Sequence, residues 1–358
     1  MARIELDLAH AYRPRPKQES DYALLPLQMT FEDGGAYALL GPSGCGKTTL
    51  LNIMSGLVTP SQGGVKFDGQ DVTQCSPQQR NIAQVFQFPV IYDTMTVAEN
   101  LAFPLRNRKM PAAKIKERVG VIAEMLDMSA QLNQRASNLA ADAKQKISLG
   151  RGLVRPDVSA VLFDEPLTVI DPHLKWQLRR KLKQIKQELN LTLIYVTHDQ
   201  VEALTFAEQV VVMTRGRAVQ VGSAADLFER PSHTFVGHFI GSPGMNFLTG
   251  RSNGSVFELA GSSLPLLAGV ELPSGDYKLG VRPEYVTLVK AQASGALPME
   301  VRQVQEVGTH VILSAAHNGT MVKARLPSHT TQLKPGDTAW LQVMGPHTCF
   351  YKNEEIVA

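Results

Sequence analysis

The sequence predicts an α/β domain with a mostly parallel sheet, followed by a small all-β domain. Three observations support this. Apolar runs of strand length end near Leu40, Glu165 and His198, and stretches of helical character separate them. Ile115, Val119, Ile122, Met125 and Leu126, and again Leu174, Leu178, Leu182, Ile185 and Leu189, recur at the spacing of a buried helix face. After a transition that begins at Arg230-Pro231 and ends at Gly241–Gly244, long helical patterns stop. Short strands follow between Gly, Pro, Ser and Asn turns, among them Ser255–Leu259, Tyr277–Val281 and Met299–Val304. A length of 358 residues suits two domains. Their expected limits are residues 1–234 and 235–358.

Residues 3–12 read as a strand ending at Tyr12. Arg13 to Ser20 is a polar, proline-broken loop. Ala23–Phe31 resumes strand character, and Glu32-Asp33-Gly34-Gly35 turns into the apolar run Ala36–Leu40. There follows Gly41-Pro42-Ser43-Gly44-Cys45-Gly46-Lys47-Thr48-Thr49, which opens a helix carrying Leu50, Leu51, Met54 and Leu57 on one side. The spacing is G-x-x-x-x-G-K-[ST] in the strand–loop–helix context that the motif requires. Glycines let backbone N–H groups close on a phosphate, and the helix N-terminus adds partial positive charge. Lys47 can reach the β- and γ-phosphates, and the Thr48 hydroxyl can ligate Mg²⁺. These residues predict a P-loop NTPase fold that binds a nucleoside triphosphate.

Downstream, Thr59–Gly64 reads as a loop, Val65–Gly69 as strand and turn, and Ile82–Gln87 as a short strand ending on Gln87. Residues 96–155 are mainly helical. Val158–Glu165 is a strand closed by two carboxylates. Beside a phosphate loop, Asp164 is suited to hold the metal, usually through water, and Glu165 to polarise the attacking water. Asp171–Leu189 is a helix with an apolar face and a basic one, the latter most simply solvated. Leu191–His198 is a buried-type strand ending in histidine. Gly41, Gln87, Asp164, Glu165 and His198 thus stand at the carboxyl ends of expected parallel strands, where such sheets bind ligands. Packing alone does not explain that convergence.

Composition removes some alternatives. Net charge is +3, with 44% hydrophobic and 19% charged residues. No long Lys/Arg block points to nucleic acid. The three cysteines, Cys45, Cys75 and Cys349, are widely spaced and do not suggest a disulfide framework; a reducing compartment is expected. No apolar run has the length of a membrane span, and the first residues lack the apolar core of a signal peptide.

Taken together, the motifs resemble the ATPase subunits of ATP-binding-cassette importers, of the carbohydrate-uptake type related to the maltose importer's ATPase. The resemblance rests on Gly41–Thr48, Val85-Phe86-Gln87, Asp164-Glu165-Pro166-Leu167 with Asp171, and Thr197-His198-Asp199. It extends through the boundary phrase Phe239–Leu248 to Leu279–Glu284, similar to the accessory β-domain of these ATPases. It implies a cassette domain with a helical subdomain at about 88–155, followed by an oligonucleotide-binding-fold-like accessory barrel of the TOBE kind. It also implies ATP and Mg²⁺ as cofactors, with Thr48, Gln87 and Asp164 around the metal. Tyr12 would stack on adenine. Gln87 would sense the metal or the attacking water and relay to the membrane subunit. Glu165 would be the general base, and His198 would contact the γ-phosphate. Asp171 would lie between two ATPase subunits, and Phe88–Leu105 would receive the permease. The expected setting is the cytoplasmic face of the membrane, with two permease subunits and, indirectly, an extracytoplasmic binding protein. Glycerol is the first cargo suggested.

One family motif is altered. Where Leu-Ser-Gly-Gly-Gln is expected, this chain has Leu139-Ala140-Ala141-Asp142-Ala143. In the family this segment covers the γ-phosphate of ATP held by the opposite subunit. Ala140 lacks the hydroxyl, and Ala141 adds a methyl where the backbone approaches closely. Asp142 adds a charge whose repulsion with a phosphate charge at about 4 Å is on the order of 4 kcal/mol at an effective dielectric near 20. A helix N-terminus contributes roughly 0.3–1 kcal/mol in the other direction. A simpler structural reading makes Asp142 a helix cap, paired with Gln145. Both readings favour pairing with a different ATPase subunit. The other functions considered are a soluble cassette ATPase acting on nucleic acid or ribosomes and a regulatory, non-hydrolysing cassette. Intact Lys47, Thr48, Gln87, Glu165 and His198 oppose the second.

Overall fold

Side-chain alternation along the central strands separates two apolar cores in the first of two units, Met1–Ala224 and Ala225–Ala358. The structure is a computed structural model that describes residues 2–358 except 169, 260, 292, 294 and 329–331. Ten strands form the first unit's two sheets: β1 (Ile4–His10), β2 (Leu24–Phe31), β3 (Ala36–Leu40), β4 (Gln62–Phe67), β5 (Gln70–Asp71), β6 (Ile82–Val85), β7 (Ala160–Asp164), β8 (Leu193–Thr197), β9 (Gln209–Thr214) and β10 (Arg217–Gly222). One sheet has the order β10-β9-β3-β8-β7-β6, parallel throughout except for the β9–β10 hairpin. The other, β2-β1-β4-β5, is antiparallel.

Helices cover the sheets as the periodicity requires. They are α1 (Lys47–Ser55), α2 (Val97–Asn107), α3 (Ala112–Met125), α4 (Ala141–Leu153), α5 (Pro172–Leu189) and α6 (Gln200–Phe206). Leu162, Ile194 and Val196 face a core shared by α1 and the antiparallel sheet. Val161, Phe163, Leu193 and Tyr195, one residue out of step, face a core built with α2 to α5. A strand buried on both faces reads as a continuous apolar run, which is why these were recognisable. Ile115, Val119, Ile122 and Leu126 are buried in the second core, as are Leu178, Leu182 and Ile185.

Two charged side chains are buried as structural fasteners. Arg80 donates to the carbonyls of Ile53 and Met54 at the C-terminal end of α1, and to Thr73 and Cys75. The negative end of the helix dipole partly compensates its charge. In the second unit, Arg282 is fully buried, donates to the carbonyls of Leu227, Phe228, Gly237 and Ile240, and lies over the Phe228 ring.

The second unit opens on α7 (Ala224–Glu229) and α8 (Thr234–Phe239). Its strands are β11 (Asn246–Ser252), β12 (Val256–Leu259), β13 (Ser262–Pro265), β14 (Gly275–Val281), β15 (Thr287–Leu288), β16 (Ala296–Glu306), β17 (His310–His317), β18 (Thr320–Pro327), β19 (Thr338–Gln342), β20 (Cys349–Lys352) and β21 (Glu355–Ile356). They form two antiparallel sheets, β13-β12-β11-β14-β20-β21 and β15-β19-β16-β17-β18. Leu248, Phe257, Leu279 and Phe350 of one sheet share a core with Leu297, Leu313, Val322 and Leu341 of the other. Asn246 ties β11 to β18 by both accepting from the N–H and donating to the C=O of Lys323. These two antiparallel sheets around one shared core make the small all-β domain that the sequence predicted.

Three local expectations need correction. β6 closes at Val85, so Gln87 stands two residues beyond the strand rather than at its end. β4 begins at Gln62, inside the expected loop, because Gly63 and Gly64 pair with Leu8 and Asp7 of β1. Asp142 is not a helix cap. Ala140 occupies the cap position of α4 without a side-chain hydrogen bond, and Asp142 falls in the first turn. Its proposed partner Gln145 is fully buried and donates instead to the Pro166 carbonyl at 2.6 Å.

Candidate functional site

The parallel strand order brings the ends of β3, β8 and β7 to one edge, and the chemistry-bearing residues follow those strands directly. After β3, the chain turns through Gly41–Gly46 and enters α1 at Lys47. Gly44 and Gly46 have φ of +79° and +105°, in the region where an L side chain is strained. A Cβ on Gly46 would also stand 2.6 Å from the Ala23 carbonyl. Pro42, Ser43, Gly44 and Thr48 are exposed along the loop, while Cys45 and Lys47 are buried. Lys47 folds back on its own loop, donating to the carbonyls of Gly41 and Pro42 at 2.8 and 3.0 Å. Burial pushes the neighbouring Cys45 thiol upward in pKa, so it is held as a small neutral hydrophobe.

The residues present fit a Mg²⁺-nucleotide. The Thr48 hydroxyl donates to Asp164 Oδ1 at 3.2 Å, bringing a neutral and an anionic oxygen donor together at the phosphate-loop mouth. Mg²⁺ takes few protein ligands and keeps waters and phosphate oxygens, so a hydroxyl and one carboxylate suffice. Burial, the larger cause, and nearby Glu165 raise the Asp164 pKa, against the hydrogen bond from Thr48 and the charge of Lys47. A cation at this position would stabilise the carboxylate. When bound, the metal would screen phosphate charge. Among the described residues, no hydrogen bond brings Gln87 to Thr48 or Asp164.

Glu165 and His198 meet across adjacent strands. Glu165 Oε2 lies 3.1 Å from His198 Nδ1, with the histidine side chain half-exposed. Glu165 has φ of +47°, unusual for a glutamate, and its N–H donates to the Val196 carbonyl at 3.0 Å. Thr168, which the sequence reading passed over, donates to the Glu165 carbonyl at 3.1 Å and approaches Oε2 at 3.4 Å. Its signal was a hydroxyl three residues after a strand-end carboxylate, a spacing that favours side-chain-to-backbone turns. The pair offers a carboxylate and an imidazole beside the phosphate loop, the equipment for orienting a water and removing its proton.

Tyr12 stands at the rim, 65% exposed, with its hydroxyl 3.1 Å from Thr49 Oγ1 and its ring edge-on to His10. An exposed ring fixed at its hydroxyl end presents a flat apolar face to a base. Asp171 caps α5, accepting from the His173 N–H at 2.9 Å, and is itself exposed. Leu139 to Ala143 enter α4, with Ala140 and Ala141 exposed and Asp142 partly so.

Comparisons with known proteins establish the family. Residues 24–168 match the ABC transporter family model, and residues 279–349 match the TOBE domain. The sn-glycerol-3-phosphate import ATP-binding protein UgpC of Escherichia coli (strain K12) is 40% identical over 322 residues, 89% of this chain and 90% of its own length. The chain belongs to the ABC transporter ATPases. Its Salmonella typhi relative of the same description is 38% identical over the same shares. A solved structure of cbiO1 from Clostridium perfringens, part of the ABC transporter complex cbiONQ, superposes with a TM-score of 0.58 at 24% identity. It covers 63% of this chain and 90% of its own, and shows the shared fold. This ABC ATPase therefore binds and hydrolyses ATP to drive import, with the TOBE domain as its second unit. Among the described residues no helix is long and apolar enough to cross a membrane.

Proposed function

We propose that this ABC ATPase powers the uptake of a small polyol or polyol phosphate, glycerol or its phosphate ester being the first candidates. The observation that carries the ATPase half is the meeting of Thr48 with Asp164 and of Glu165 with His198 beside the phosphate loop. The cargo half is supported by the printed function of the relatives, sn-glycerol-3-phosphate import. In this reading Glu165 is the general base, His198 holds it against the γ-phosphate, Thr48 and Asp164 hold Mg²⁺, and Tyr12 stacks on adenine. Gln87 acts from its loop as the sensor between the metal and the membrane subunit.

Two permease subunits and an external binding protein complete the importer, with this chain on the cytoplasmic face. Phe86, Phe88, Val90 and Tyr92 favour the stretch after β6 as the permease contact, since all four apolar rings or branches are exposed in one short loop. A second, different ATPase chain is supported by Leu139–Ala143 alone; the named relatives lend it no support. Recovering the complex through a tag on this chain, identifying the co-purifying permease and binding protein, and screening the latter against polyols and their phosphates tests the reading. A binding protein selective for amino acids or metal ions would refute the cargo assignment. Salt-dependent binding of the chain to RNA or DNA, with no permease recovered, would favour a soluble cassette ATPase.

A further inference from the structure

A buried carboxylate lies directly behind the Glu165–His198 pair. Glu202, on α6, is 4% exposed, and its Oε2 accepts from the hydroxyls of Thr197 at 2.9 Å and Tyr195 at 3.1 Å. Its Oε1 faces Lys175 Nζ of α5 at 3.6 Å. Burying a carboxylate costs several kcal/mol in general unless it is paired and hydrogen-bonded, so such a group is fixed in place by its partners. The partners here are informative. Thr197 immediately precedes His198, and the same Thr197 hydroxyl accepts from the N–H of Asp199 at 3.0 Å. Asp199 in turn accepts from the Glu202 N–H at 3.1 Å. The backbone on both sides of His198 is therefore locked to one side chain through a closed ring of hydrogen bonds. Lys175 stands one turn into the helix that Asp171 caps, and its N–H donates to the Asp171 carbonyl at 2.9 Å.

We propose that Glu202 is a positioning residue for ATP hydrolysis, holding the Thr197–Asp199 turn so that His198 meets Glu165 and linking that turn, through Lys175, to the start of α5. Among the described residues no hydrogen bond joins Glu202 to Glu165 or His198; it acts through Thr197. The inference rests on the assignment of hydrolysis to Glu165 and His198, which Glu165→Gln tests separately.

A misplacement of about 1 Å at a catalytic group can cost 10²-fold in rate without loss of binding. In the complex recovered from membranes through a tag on this chain, with Mg-ATP as substrate, Glu202→Gln is expected to lower kcat roughly tenfold or more while KM for ATP stays within about twofold. Lys175→Met is expected to lower kcat by about threefold, and Lys175→Arg to restore it, because both cations pair with a carboxylate. The double variant Glu202→Gln/Lys175→Met should lose no more than Glu202→Gln alone, since both break one link. Unchanged kcat in both single variants, a loss confined to KM, or fully additive losses would overturn the proposal. Should Glu202→Gln fail to fold, the Lys175→Met and Lys175→Arg pair, at a partly exposed site, decides the question by the same kcat criterion.

Discussion

The Thr48 hydroxyl and the Asp164 carboxylate stand 3.2 Å apart, joining the first turn of α1 to the end of β7. The two side chains come from positions 116 residues apart, and only parallel strand pairing through β8 brings them together. Asp164→Asn should raise the Mg²⁺ concentration for half-maximal ATPase by about tenfold or more, since a carboxylate ligand is lost. Burial raises the Asp164 pKa, so protons compete with the metal over a higher pH range than for an ordinary aspartate. The Mg²⁺ requirement of the wild type should therefore rise more steeply as pH falls than that of Asp164→Asn, protonation of the nucleotide's terminal phosphate affecting both alike. Titrating ATPase activity against Mg²⁺ at several pH values checks both; an equal pH dependence in the two proteins would refute the assignment.

Under the proposed function, Glu165 contributes a base rather than a binding contact. Removing a general base typically costs 10²–10⁴-fold in rate. Glu165→Gln should therefore lower turnover by roughly 10²-fold or more while ATP affinity is retained, because the amide still fits beside His198. Measuring nucleotide binding by fluorescence beside single-turnover hydrolysis separates the two. Substantial remaining turnover would place the catalytic load elsewhere in the complex.

At the rim of the site, Tyr12→Ala should weaken ATP binding about tenfold, in line with roughly 1–3 kcal/mol for a stacked base, with kcat at saturation little changed. Tyr12→Phe should retain most of the affinity, since it keeps the ring and loses only the bond to Thr49. Equal losses in both variants would mean that the hydroxyl, not the ring, matters.

The His10 ring against which Tyr12 packs is buried, and among the described residues neither ring nitrogen has a hydrogen-bond partner. Burial lowers its pKa. The unfolded imidazole titrates near about 6.5, so below that pH the unfolded chain binds a proton that the folded chain resists. Stability should fall as pH drops from about 6.5 toward the lower folded value, then level off with respect to this group. His10→Phe should remove that component while keeping an aromatic ring against Tyr12. Thermal denaturation of both proteins between pH 7.5 and 5 tests this, and parallel curves would show that His10 does not contribute.

Much of this fold could be read from the chain because the strands beside the site are buried on both faces. Ala36–Leu40, Ala160–Asp164 and Leu193–Thr197 leave no ambiguity of period, and the residue after each is where the topology needs chemistry. The less legible parts depend on contacts made far away in sequence. Gln145 reads as a capping partner because of its spacing from Asp142, yet it turns inward to the Pro166 carbonyl, which only the packing of α4 near β7 brings within reach. No sequence motif singles out Glu202; its partners Lys175, Tyr195 and Thr197 are contributed by α5 and β8. Gly63 and Gly64 read as a loop because their strand character comes from pairing with β1.

The altered segment Leu139–Ala143 gives the last prediction. In the structure Ala140 caps α4 without a side-chain acceptor, so the first N–H groups of that helix gain nothing from this residue. That is the arrangement of a helix end able to receive an anion, yet Asp142 supplies the negative charge itself within the first turn. Its carboxylate can satisfy the dipole and repel a phosphate at once. Replacing Ala140-Ala141-Asp142 by Ser-Gly-Gly removes the Ala141 methyl and the Asp142 side chain with its charge, and adds a hydroxyl at position 140. If the segment is what limits a self-paired chain, the isolated protein should gain at least about tenfold in ATPase turnover, consistent with removing roughly 1.4 kcal/mol of the barrier. Asp142→Gly alone should deliver most of the gain in low salt and less in high salt, because screening weakens the repulsion. A wild-type chain that already hydrolyses ATP at full rate by itself, or a triple variant no faster than the wild type, would remove the case for a different ATPase partner.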